Sequence, residues 1–387
     1  MLRPIKTFFK SEIAIGVSLF FATLAAILVA NSENYQVYKD FFNISLPLKI
    51  TAIGISKNMT LLEWINDFLM AIFFLLVGLE LKKEIMIGEL SSKKKFTLPL
   101  IGAFGGVIFP IAIFLIVNFN NPENLRGFAI PAATDIAFAY GIISLFGKKF
   151  SSALKVFLVA LAIIDDLIAI ILIGVFYTKN LDFSYFALGG FAFAGLVALN
   201  YFNSKKISLY LILGAFLWLM ILKSGVHATL AGVLVALSIP LQVGEKSLVS
   251  NLAHKISPTV NFLILPIFAF ANAGVQLYGF SMASLLEPLT LGIILGLFFG
   301  KQFGVILMSF IAVKLHLAHL PKATTWPEFY IASILAGVGF TMSLFIGSLA
   351  FSGNDLAFDQ VKIGVIFGSL FSAILAIFIA QTLKKRN

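Results

Sequence analysis

The sequence predicts an all-α integral membrane protein of about twelve transmembrane helices. Three observations carry that prediction. Apolar residues occupy 60% of 387 positions and charged residues only 12%, about half the charged share of a soluble domain. Mean hydropathy is +1.01, so lipid is the solvent for most of the chain. Apolar runs near the length that crosses the hydrocarbon core recur from end to end, separated by charge clusters and turn residues.

The runs are 12–30, 60–81, 96–117, 128–146, 153–176, 182–200, 207–222, 225–240, 258–278, 288–312, 328–350 and 360–383. The first follows Arg3, Lys6 and Lys10 and ends in Leu28-Val29-Ala30, a pattern shared with signal peptides. At about eighteen residues it is long for a signal-peptide core and is read as a retained first helix. Residues 31–59 form the longest connection, and alternating apolar and polar positions over Phe42 to Ile50 and then Thr51 to Lys57 suggest a short β-hairpin, with an ordinary loop as the alternative; the exposed edge of a hairpin would suit a dimer contact.

An even number of spans puts both termini on one side. About twenty of the 28 basic residues fall on the side of Arg3, among them Lys82, Lys83, Lys148, Lys149, Lys205, Lys206 and Lys384 to Arg386, and about seven fall opposite. Both termini are therefore expected in the cytoplasm. Basic residues clustered between apolar runs are a topology signal and not a nucleic-acid face. The absence of cysteine excludes disulfides, thiolate catalysis and cysteine metal sites.

Two spans carry helix breakers in their middles. The fourth contains Ala129-Ile130-Pro131-Ala132-Ala133-Thr134-Asp135, where proline removes a backbone donor. The eleventh contains Gly337-Val338-Gly339-Phe340-Thr341, where two glycines weaken the helix. Each is the middle member of a three-helix set, 96–176 or 288–383, and counting from the third span to the tenth sets the two in opposite senses across the membrane. Interrupted segments at matching places in inverted halves point to an ion site.

Ionisable residues inside spans are expensive and mark function. Asp135 follows the first break, Asp165 and Asp166 sit mid-span in the fifth run, and Lys301 sits mid-span in the tenth. Lys301 is roughly twelve residues, about 18 Å, from either end of its span, too far to snorkel out. Two readings stay open for Asp135, capping of broken helix ends or membership of the site, and two for Lys301, charge compensation or proton handling. The adjacent acids gain nothing in packing, repel each other, and point about 100° apart, so they cannot act identically. A dehydrated monovalent cation needs oxygen ligands, which these carboxylates, Thr134 and backbone carbonyls at the break supply. The same carboxylates bind protons. Competition between cation and proton at one alternating site is sufficient for antiport.

The segments Ala133 to Phe138, Leu161 to Leu167, Phe73 to Glu80, Ser224 to Thr229, Leu265 to Gly274 and Gly337 to Ser343 resemble signatures of the NhaA family and span nearly the whole chain. Inverted repeats are found in several secondary transporters, the NhaA type among them. The resemblance implies one transporter domain over 1–387, with broken spans four and eleven crossing near the bilayer middle. The remaining helices would form an interface region and the outer hairpin a homodimer contact. It implies an electrogenic, pH-regulated Na+ (or Li+)/H+ antiporter of the bacterial inner membrane, without a cofactor. Asp165 and Asp166 would carry Na+ and protons, with Thr134 and Asp135 beside them and Lys301 compensating the site or pairing with Asp165. Asp67, Glu80, Lys83, Glu84, His227 and His254 match positions tied to the pH response, although a packing role is open for His227. Ala253 and Ser257 depart from the family pattern, which carries an acid and a second histidine there.

A cation channel would need a continuous wet path, a sodium/solute symporter an organic substrate, and a membrane enzyme a metal motif or nucleophile–base pair that the spans lack. If the departures at Ala253 and Ser257 set the pH threshold alone, Ala253→Glu with Ser257→His moves the activation pH and leaves saturating turnover nearly unchanged. A pH-resolved transport assay checks this, and turnover collapsing on a fixed profile would contradict it.

Overall fold

The computed structural model describes residues 12–50, 55–88, 91–178, 181–244, 246–278 and 281–383. The terminal basic residues used to orient the chain, and Thr51 to Gly54 of the expected hairpin, lie outside the described residues. The chain gathers into two compact units, one of Met1–Leu24, Glu89–Ile171 and Val275–Asn387, the other of Ala25–Gly88 and Leu172–Gly274.

The protein is an all-α membrane protein. Among the described residues eleven helical segments are long and apolar enough to cross a bilayer. In chain order the helices are α1 (Glu12–Ala30), α2 (Tyr35–Phe42), α3 (Leu61–Met86), α4 (Lys93–Val117), α5 (Ile136–Leu145), α6 (Ser152–Phe176), α7 (Phe183–Tyr201), α8 (Ile207–Ser224), α9 (Leu230–Ser238), α10 (Leu248–Ala273), α11 (Pro288–Lys314), α12 (Trp326–Leu335), α13 (Phe340–Ala350) and α14 (Asp355–Thr382). Within the eighth apolar run, 225–240, the regular helix is short, so the run is not among the eleven. Gly225 ends α8 in a left-handed conformation at φ 86, a turn follows, and Pro240 stands just past α9, whose nine residues rise only about 14 Å.

The second unit holds the predicted hairpin. Strands β1 (Leu48–Ile50) and β2 (Ile55–Lys57) pair antiparallel, with Lys49 opposite Ser56. Thr60 and Glu63 form a capping box that starts α3. Trp64–Leu69 then forms a π turn, and the Asp67 carbonyl accepts from Trp218 Nε1 at 3.2 Å. Asn66 and Asn272 exchange amide hydrogen bonds at 3.2 and 2.9 Å, satisfying two polar groups inside an apolar packing.

In the first unit α4 and α11 run in backbone contact. A Cβ added at Gly105 would stand 2.1 Å from the Gly304 carbonyl oxygen, and one at Gly304 would stand 2.1 Å from that of Gly105. Farther along, Gly300 lies against Pro110 and Gly296 against Pro131. Phe157 of α6 packs its ring 4.7 Å from that of Phe329 of α12, in a core that includes Leu98, Leu161, Val305 and Leu335. Over an 18-residue stretch of Trp326–Ala350, which holds α12 and α13, 94% of the residues are buried, so this segment lies inside protein, whereas along α7 only 17% are.

Substitutions at two helical glycines separate packing from helix propensity. Gly105→Ala overpacks a backbone contact that cannot yield and destabilises by about 1–3 kcal/mol, read as a lower thermal midpoint in detergent. Gly190 of α7 has open space where its Cβ would be, so Gly190→Ala leaves that midpoint unchanged or raises it.

Candidate ion-binding site

Both interrupted spans break where the sequence places its breakers. In the first, short 3-10 turns at Asn124–Gly127 and Ile130–Ala132 give way to extended backbone, with ψ 155 at Ala133 and ψ 105 at Asp135, before α5 begins. In the second, α12 ends at Leu335, the chain turns through Ala336 to Val338, and Gly339 precedes α13.

The breaks satisfy each other's polar groups. The Asp135 amide donates to the Val338 carbonyl at 2.7 Å, the Thr134 hydroxyl reaches the Ala336 carbonyl at 2.8 Å, and the Ser343 hydroxyl donates to the Ile130 carbonyl at 2.8 Å. The 3-10 turns before the first break pack on α13, after the second, and α5 packs on α12. First halves thus meet second halves, as two antiparallel interrupted helices crossing at their breaks must. Irregular backbone at membrane depth is tolerated only when buried in protein in this way.

Asp135 sits at the N-termini of two half-helices. Its Oδ1 accepts from the Phe138 amide at 3.0 Å as the cap of α5, and its Oδ2 accepts from the Thr341 amide at 2.9 Å and from the Thr341 hydroxyl. Anionic groups are favoured at both ends by the helix dipoles. Both oxygens are engaged, which is the capping geometry.

Asp165 and Asp166 lie on α6 with 0% and 1% exposure, and their surroundings differ. Asp165 Oδ2 accepts from Lys301 Nζ at 2.6 Å and from the Thr134 hydroxyl at 2.7 Å. Asp165 Oδ1 and both oxygens of Asp166 have no hydrogen-bond partner among the described residues. Asp166 interacts electrostatically with Asp165, Asp135 and Lys301. Lys301 is fully buried, and its ammonium lies 3.7 Å from where a Cβ on Gly106 would stand, so the glycine leaves it room.

Thr134, Asp135, Asp165, Asp166 and Lys301 are thus brought together in one unit. Three carboxylates and one ammonium in an apolar interior leave an excess of oxygen acceptors, which only a cation, protons or water satisfy. Reasoning from sequence missed Thr341 as the partner of Asp135. The available signal was a hydroxyl two residues past Gly339, at the start of a half-helix.

The six residues matched to a pH response lie in the other unit and do not form one cluster. Glu80, Lys83 and Glu84 interact at one end of α3, while Asp67 lies about 20 Å away along the same helix, where Glu63 and Lys57 act on it. His227 lies in the turn before α9, with Nε2 3.0 Å from the Tyr177 carbonyl. His254 is exposed on α10, beside buried Ala253, and Ser257 accepts from the Asn261 amide at 3.1 Å.

Comparison with known proteins agrees with this geometry. Residues 6–380 match the Na+/H+ antiporter 1 family. The Na(+)/H(+) antiporter NhaA of Pelagibacter ubique is 51% identical, over 99% of this chain and 98% of its own length. Na(+)/H(+) antiporter NhaA 1 of Syntrophotalea carbinolica is 48% identical over 98% and 96% of the two chains. The Na(+)/H(+) antiporter NhaA of Shewanella amazonensis is 48% identical over 98% and 97%. By this match and by its paired acids between two interrupted helices, the chain belongs to the Na+/H+ antiporter 1 family.

Proposed function

We propose that this chain is a Na+/H+ antiporter that exports sodium, or lithium, in exchange for protons. Cation and protons compete for the Asp165–Asp166 site. The observation that carries the reading is Asp166, whose two carboxylate oxygens are buried and unpartnered beside an Asp165 already engaged by Lys301. The names of relatives that cover nearly the whole chain support Na+ and H+ as the cargo. The rival readings, a cation channel and a sodium/solute symporter, find no support among those names.

Asp166 is the readiest ligand for sodium, because its oxygens make no competing hydrogen bond. Asp165 Oδ1, also without a partner, and the Thr134 hydroxyl add further oxygens. As the cation approaches, Lys301 yields its hold on Asp165, since two cations on one buried carboxylate repel. Loading the cation drives protons from the site, and returning protons drive the cation off. More than one proton exchanged per sodium makes the cycle electrogenic. Rearrangement of the interrupted helices turns the loaded site from one side to the other. Asp135 holds the half-helix ends in place.

The setting is the bacterial inner membrane with both termini cytoplasmic, as the basic-residue bias supports. In this reading 96–176 and 288–383 are the moving inverted repeats, the remaining helices and the β1–β2 hairpin form a homodimer interface, and Asp67, Glu80, Lys83, Glu84, His227 and His254 tune the pH response.

Asp166→Asn keeps the size of the side chain and removes its charge and its titration. Sodium-induced proton release by the purified variant disappears, and normal electrogenic exchange in liposomes would refute the assignment. Asp165→Asn leaves a buried ammonium without its counter-charge, a loss of about 3–5 kcal/mol unless the lysine deprotonates. Adding Lys301→Gln in that background restores the yield and thermal midpoint of folded protein and makes exchange less dependent on membrane potential. Additive effects of the two substitutions would rule the pairing out.

A further inference from the structure

Lys301 follows directly on a π turn, Gly296–Gly300, across which its amide donates to the Gly296 carbonyl. A π turn inserts one extra residue into the helical repeat, and annealing it to regular α-helix would rotate Lys301 by about 100° relative to the preceding part of α11. The aim of the ammonium at Asp165 therefore depends on the turn being held.

What holds it is the next residue. Gln302 is 2% exposed, and its Nε2 donates back to the Phe298 carbonyl within the turn. Its Oε1 accepts from the Tyr330 hydroxyl at 2.6 Å. A buried amide is costly when unsatisfied, and here the turn engages one end and α12 the other. Tyr330 is on α12, and in the turn that follows that helix the Val338 carbonyl accepts from the Asp135 amide, one residue on from Thr134, at 2.7 Å. Both donors to Asp165 Oδ2 are thus tethered to α12 and its following turn, Lys301 through Gln302 and Tyr330, Thr134 through the backbone of Asp135.

We propose that Gln302 and Tyr330 are positioning residues that lock the aim of Lys301 to α12, so that displacement of this half-helix withdraws Lys301 and Thr134 from Asp165 together. The inference rests on Asp165 and Asp166 being the ion site and adds how that site is opened. Loosening the lock weakens the hold of Lys301 on Asp165, and the transported cation then meets a weaker competitor.

The test uses Tyr330→Phe, which deletes one oxygen and keeps the ring, together with Gln302→Met and the double variant, each purified and reconstituted. At a pH of maximal exchange the sodium KM falls about three- to tenfold, the range of one net hydrogen bond, while turnover changes less. The double variant matches the single ones, and amide exchange over 296–302 quickens in all three. An unchanged or raised KM in folded Tyr330→Phe, single effects that add in full, or unaltered amide exchange would each overturn the proposal. Amide exchange reports on the tether whatever the cargo is. Failure of the ion-site reading shows instead as persisting transport in Asp166→Asn.

Discussion

A lysine and three aspartates buried at membrane depth set the terms for the rest of the fold. Moving a single ion from water to a protein interior costs several kcal/mol even after relaxation. The 2.6 Å pair of Lys301 with Asp165 offsets this for two of the groups, and the ends of two half-helices do so for Asp135. Asp166 feels Lys301 only at a distance and has no hydrogen-bond partner among the described residues. The cluster therefore gathers three acidic groups around one basic group, the setting on which the proposed cation and proton site rests.

Holding such a cluster requires helices that break and yet stay buried. Pro131 prevents the fourth span from running through, and Gly337 and Gly339 let the eleventh turn within a backbone contact. A Cβ at Gly337 would stand 2.3 Å from the Leu297 carbonyl oxygen, and one at Gly339 would stand 2.9 Å from that of Ala133. The broken ends then bind each other through Asp135, Val338, Thr134 and Ala336. The same closeness recurs where α4 meets α11 at Gly105 and Gly304, which brings Lys301 to the carboxylates.

Much of this is legible in the residues. Charges within apolar runs announce Asp135, Asp165, Asp166 and Lys301, because nothing else in a lipid-facing composition explains them. Breakers at matching positions announce the crossing. Alternation between Phe42 and Lys57 suggests the hairpin, since its period of two differs from the helical repeat, although the paired strands are only Leu48–Ile50 and Ile55–Lys57. Other features have no such signature. The π turns at Trp64–Leu69, Val260–Ile264 and Gly296–Gly300 follow from tertiary contact, and an extra residue in a helical repeat leaves the apolar pattern almost unaltered. The short α9 was masked because hydropathy continues through the turn that precedes it. Thr341, Gln302 and Tyr330 are ordinary residues in composition, and only the partners they find give them a role.

The hydroxyl of Thr134 couples the proposed site to the break in the second interrupted helix. It has one proton and two acceptors in reach, Asp165 Oδ2 at 2.7 Å and the Ala336 carbonyl at 2.8 Å. A charged Asp165 draws that proton, because hydrogen bonds to ionised acceptors are about twice as strong as neutral ones. A neutralised Asp165 releases it to Ala336. Each change in the charge of Asp165 thus redistributes one hydrogen bond between the ion site and the end of α12. Differences of about 1 kcal/mol are sufficient to shift a balanced conformational equilibrium severalfold, so the break in the second interrupted helix is placed to respond to what the carboxylates carry.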